Sequence, residues 1–184
     1  MLTKRLTIWV MVAVAMASIT LSNAAAADNA VQELEWTDLV PSGYNPDEIL
    51  EQYQKQYNID ELPDDDPRLK ELVAKLEEVW KSAPVNSALN GKTIKLPGFV
   101  VPLETDGQHT SQFLLVPYYG ACIHVPPPPA NQTVHVTMRD NKGAEIRQLF
   151  DTVWVTGVIK TEKLTTDIAD AGYTIQATRV EPYE

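Results

Sequence analysis

At 184 residues the chain can hold one ordinary core plus an appendage, and its 25 Asp and Glu against 15 Lys and Arg give a formal charge of −10. A surface this acidic repels phosphate backbones, which argues against nucleic acid as a partner. The single cysteine, Cys122, excludes an intramolecular disulfide, so the fold rests on its core, and the thiol is buried and inert, a metal ligand, or reactive toward another molecule.

The amino terminus reads as a secretion leader. Lys4 and Arg5 supply the positive start, Leu6 to Leu21 form an uncharged apolar run, and Ala25 and Ala27 fit the small-residue cleavage pattern. The expected mature chain starts at Asp28, is exported and does not span the membrane. Loss of Lys4 and Arg5 takes its charge from −10 to −12. An uncleaved anchor is the alternative, since the run approaches the lower limit for a spanning helix.

Acid is unevenly spread over the rest. Residues 28–84 hold fifteen acids against five bases, and residues 85–184 hold ten against eight. The shift at Ala83-Pro84 divides the chain into an acidic helical region, 28–84, and a β domain, 85–184. In the first part Asn45, Pro46 and Glu48 form a helix start, followed by Ile49, Leu50, Tyr53 and Tyr57 at helical spacing. Asp66-Pro67 opens a second helix whose stripe is Leu69, Leu72, Val73, Leu76, Val79 and Trp80, closed by Pro84. The Asp64-Asp65-Asp66 run reads as a solvated turn and cap rather than a calcium loop.

After the Asn90-Gly91 turn the period changes. Thr93–Leu103, Gln112–Tyr119, Thr133–Met138, Val153–Ile159 and Tyr173–Val180 are rich in β-branched and aromatic residues. Pro97-Gly98 marks a bulge or bend in the first strand, Asp106-Gly107 a hairpin turn, and Ala144–Phe150 a short helix. The expected fold is mainly β, a five-stranded OB-like barrel preceded by the helical region. A small β-sandwich is the alternative.

The segment that stands out runs from Tyr118 to Gln132. Pro126, Pro127, Pro128 and Pro129 impose an extended polyproline connection without backbone donors. Just before them, Cys122 and His124 are one residue apart, and in an extended stretch both side chains point the same way, with Ile123 opposite. Such a pair suits zinc or another transition metal, or a thiolate–imidazolium couple with a lowered thiol pKa. A buried structural thiol is the plain alternative. Further ligands would come from His109, Glu104, Asp106 and His135, the last facing outward if Val134 and Val136 face the core. Asn131 and Gln132 read as local turn residues. Tyr118, Tyr119, Phe113 and Trp154 read as packing, because the basic groove that base stacking needs is missing. No Gly-rich phosphate loop, G-x-S-x-G elbow or H-E-x-x-H helix is present, and no residue is assigned a catalytic role.

The stretch Phe113 to Val125, continued by Pro126–Pro129, Asn131 and Gln132, resembles the signature of the domain of unknown function 3299 family. Pro97 to Leu103, Val153 to Gly157 and the opening Trp36-Thr37-Asp38-Leu39-Val40-Pro41 are similar to that family's pattern as well. The resemblance implies an exported protein of Gram-negative bacteria, with similar genes near ABC-transporter components and a suggested link to metal uptake. It also implies that Cys122 and His124, with Tyr118, Tyr119, Gly120 and the prolines, form the motif that meets metal or partner.

Three readings follow. The first is a soluble periplasmic accessory protein, binding zinc or another transition metal through Cys122 and His124 and serving an inner-membrane transporter component. The second is a thiol-dependent redox or assembly enzyme with Cys122 as nucleophile. The third is a protein-interaction adaptor in which Cys122 is structural and the prolines dock a partner.

Overall fold

The computed structural model describes residues 30–45, 47–104, 109–123, 127–139, 143–146 and 148–183. The expected leader, Pro46, Asp106-Gly107, His124 and Pro126 lie outside the described residues.

The chain enters as β1 (Gln32–Glu33), parallel to the start of the first long strand at Ile94 and Lys95. A 3-10 turn over Trp36–Leu39 follows, steadied by the Glu35 N–H donating to Asp38 Oδ2 at 2.8 Å. Helix α1 (Glu48–Tyr57) starts three residues after Asn45, whose side-chain oxygen accepts from the Asp47 N–H at 3.1 Å, and ends on Asn58 in the left-handed conformation. Helix α2 (Pro67–Lys81) starts where Asp66-Pro67 predicts. The Asp66 carboxylate accepts from the Arg68 N–H and guanidinium, and these bonds hold its pKa down at about 2.

The stripe of α2 is narrower than its pattern. Leu72 is buried and Leu69, Leu76, Val79 and Trp80 are half-buried, but Val73 is 55% exposed. Val73 lies about 100° around the helix from Leu72 and falls off the covered side. The two helices meet where buried Tyr53 donates its hydroxyl to Glu71 Oε1 at 3.3 Å.

The remaining elements are β2 (Thr93–Glu104), β3 (His109–Thr110), β4 (Gln112–Val116), β5 (Val134–Met138), β6 (Ala144–Glu145), β7 (Thr152–Lys160), β8 (Leu164–Thr165), β9 (Asp170–Ala171) and β10 (Tyr173–Pro182). Five of them close a barrel in the order β2-β4-β5-β10-β7, with β7 returning to β2. Only β5–β10 is parallel. This is an OB-like barrel, and the closing β2–β7 ladder rules out the sandwich. Closure depends on β2 being long: Thr93–Phe99 pairs with β7 and Phe99–Glu104 with β4.

Two local expectations change. The first strand runs unbroken through Pro97-Gly98, and its irregularity falls between Pro102 and Glu104. Pro97 is tolerated because its backbone faces away from β7, where neither β1 nor β4 pairs with it: its carbonyl accepts from the Trp36 indole N–H at 2.8 Å, and the missing N–H on that side leaves no ladder partner unpaired. Gly98 makes room for that indole, since a Cβ there would lie 2.9 Å from Trp36 Cζ2 and 2.8 Å from Leu115 Cγ. The expected helix over 144–150 is instead strand β6 followed by a turn ending on Phe150, at φ 62. Ala144 and Ile146 are buried and Glu145 is exposed, a period of two that suits a strand.

Ile94, Leu96, Val100, Phe113, Leu115, Val134, Val136, Val155, Ile159, Tyr173 and Ile175 fill the barrel. A second apolar layer is made of Val101, Leu114, Val116, Ala121, Phe150, Ala169 and Ala171. Strand β4 therefore contributes alternate residues to two cores, and Phe113 to Val116 are all fully buried. Among the described residues no helix is long and apolar enough to cross a membrane.

Candidate functional site

The segment singled out by sequence begins where β4 ends. Gly120, at φ 83, and Cys122, at φ 68, bend the chain back, and the Ile123 N–H reaches the Gly120 carbonyl at 3.4 Å. Cys122 holds a left-handed conformation that glycine or asparagine normally occupies in such a turn. The stretch is therefore not extended at Cys122, and the geometry that would align its side chain with that of His124 is not adopted there. The turn sends Ile123 outward, 48% exposed, and the thiol inward against the second apolar layer.

That environment decides the chemistry of the thiol. Burial pushes the Cys122 pKa up to about 11. At neutral pH on the order of one molecule in ten thousand carries the thiolate, so the expected lowered pKa of a nucleophile is not found. Burial, and then the neighbouring Cys122 charge, raise the pKa of the Tyr118 phenol too.

The other sequence candidates are dispersed. Glu104 is exposed at the end of β2, and His109 is exposed on β3, opposite Glu145 of β6. His135 lies on β5 between Leu114 and Thr174 and is buried rather than facing solvent. Its outward direction was legible, but the second apolar layer covers that face of β4. Burial lowers the His135 pKa and favours the neutral imidazole. Among the described residues no three His, Cys, Asp or Glu side chains form a group able to hold a metal ion. These residues alone do not fit a zinc centre.

Asn131 and Gln132 do more than shape a local turn. The Asn131 amide donates to the Pro84 carbonyl at 2.9 Å, and the Gln132 amide to the Trp36 carbonyl at 2.8 Å. The Tyr173 hydroxyl donates to the Leu39 carbonyl and accepts from the Asn86 N–H, both at 2.5 Å. The Gln132 and Tyr173 bonds strap the Trp36–Leu39 turn onto the barrel, and those to Pro84 and Asn86 hold the segment that follows α2 beside it. Burying them without partners would cost more than each bond contributes, which makes the strap all-or-none.

The residues of this segment left outside are aromatic and aliphatic. Tyr119 is 67% exposed and Tyr118 42%. The Tyr119 ring is nevertheless held, 4.9 Å from the Phe150 centroid and edge-on to Phe99 at 6.2 Å.

With that arrangement in view, the sequence comparison is decisive: the family described as "Protein of unknown function (DUF3299)" matches residues 36–182. The chain belongs to the DUF3299 family. A crystal structure of a DUF3299 family protein from Pseudomonas aeruginosa PAO1 is similar at 39% identity and a TM-score of 0.62, covering 84% of this chain and 97% of that one. The OBody AM3L09, solved bound to hen egg-white lysozyme, aligns at 17% identity and a TM-score of 0.37 over 57% of this chain and 92% of its own. No curated protein matches. The DUF3299 match starts at Trp36, the residue whose indole and carbonyl anchor the strap.

A cavity of about 380 Å³ lies beside the same segment. Its walls are Trp80 and Lys81 of α2, Pro127 and Pro128, and the β8–β9 connection Thr166–Ala169. The β8–β9 residues escaped the sequence reading. The available signal was Thr166, whose hydroxyl oxygen accepts from the Ile168 and Ala169 N–H groups at 3.2 and 3.0 Å.

Proposed function

We propose that this DUF3299 protein is an exported accessory protein of the periplasm that docks a partner through Tyr118, Tyr119 and Ile123. The observation that carries this reading is the exposure of three large side chains on the turn of the family signature, while the thiol beside them is turned inward. Tyrosines held by packing lose little entropy on binding and are enriched among residues that dominate interfaces. The raised Cys122 pKa favours docking over thiol chemistry. The partner is an inner-membrane transporter component, the class implied by the sequence resemblance.

A photo-crosslinking residue in place of Tyr119 tests this in cells, with one in place of exposed Val73 as control. The expected result is a transporter-component adduct at position 119 alone, lost when Ile123→Asp is added. The same adducts at both positions, or none, would remove the reading. A mature mass starting at Asp28 is expected for the exported chain.

Zinc at Cys122 and His124 is the second reading, favoured by a half-buried lone thiol two residues before a histidine. It requires saturable zinc binding that disappears in Cys122→Ser.

A further inference from the structure

The cavity beside Pro127 and Pro128 has a chemistry of its own. Trp80, Pro127, Pro128 and Ile168 give it flat apolar walls, while Glu77, Asp167 and Asp170 stand against one cation, Lys81. Asp170 accepts from the Thr165 hydroxyl at 2.6 Å. Among the described residues Glu77 and Asp167 have no hydrogen-bond or ion-pair partner. The carbonyl end of α2 is already satisfied, which leaves Glu77 and Asp167 as the charge open to a ligand. An ammonium group already uses that end, for Lys163 Nζ donates to the Lys81 carbonyl at 2.8 Å. The volume lies within the range of ligand pockets, at its small end, and suits a side chain rather than a whole cofactor.

We propose that this groove binds an arginine or lysine side chain presented by a basic segment of a partner protein. The aliphatic stem lies along Trp80 and the proline rings, and the cation meets Glu77 and Asp167. Arginine fits better than lysine, because a planar guanidinium stacks on an indole and forks onto a carboxylate. This goes beyond docking through Tyr119 and stands without it, since no residue of the Tyr118–Ile123 patch lines the cavity.

The test is calorimetric titration of the purified protein with the peptide acetyl-Gly-Arg-Gly-Arg-Gly-amide and its uncharged citrulline counterpart. Salt at roughly 0.15 M screens attraction between distant charges. Saturable binding of the arginine peptide is expected, about tenfold tighter than the citrulline peptide. Glu77→Gln with Asp167→Asn should weaken it about tenfold, and both replaced residues are exposed, so the fold is retained. The distant pair Glu33→Gln with Asp47→Asn should change it less than about twofold. Absence of saturable binding, equal affinity for the citrulline peptide, or equal loss in the distant pair would each overturn the proposal.

Discussion

The inside of the barrel and the layer outside β4 are equally dry, yet they are built in different ways. The inner core comes from alternate residues of five long strands, so each strand supports its neighbours through the ladder. The outer layer is half strand and half loop: Leu114 and Val116 supply the floor, and Ala121, Phe150, Ala169 and Ala171 close over it from irregular or two-residue elements. The comparison shows where the rigid support and the exposed aromatic surface are separated in this fold. The barrel fixes the floor, and the loops that cover it present Tyr118, Tyr119 and Ile123 to solvent.

That contrast can be broken from the inside first. Phe113→Ala removes a fully buried ring from the barrel and should lower unfolding free energy by about 4 kcal/mol, read by urea denaturation. Tyr173→Phe keeps the ring but cuts the strap, leaving the Leu39 carbonyl and Asn86 N–H without their shared hydroxyl, and should cost about 2 kcal/mol. A smaller effect sits under the outer layer. His135 titrates below an ordinary imidazole when folded, so the unfolded chain takes up a proton first as pH falls. Its contribution is intact above about pH 6.5 and is lost as pH drops through the folded pKa. Melting temperature should therefore fall less between pH 7.5 and 5 in His135→Gln than in the parent. Smallest of all, Tyr119→Ala should change stability by less than about 1 kcal/mol while abolishing capture of the partner by a photo-crosslinking residue placed at Tyr118. A large stability loss there would make Tyr119 part of the core rather than part of a surface.

The same contrast explains what the sequence revealed. All five barrel strands were legible, because each is a run rich in β-branched and aromatic residues bounded by turn signals. The outer layer was not. In Phe113-Leu114-Leu115-Val116 every residue is apolar, so the run says that both faces are covered without saying by what. His135 read as outward because it alternates with Val134 and Val136, and that outer face proved to be buried. Bonds across 47 and 96 residues from Asn131 and Gln132 leave no local trace. The left-handed turn at Cys122 carries a residue that ordinarily avoids it, so turn chemistry gave no warning and an extended Cys-x-His stretch was the natural expectation. Tertiary packing set each of these positions.

The most direct test of the account is the pH dependence of Cys122 alkylation in the folded protein. The thiol packed against the second apolar layer should react slowly at pH 7, with a rate that climbs only as pH approaches about 11. A rate that titrates below pH 8.5, the ordinary thiol value, would contradict the account and make Cys122 a reactive centre.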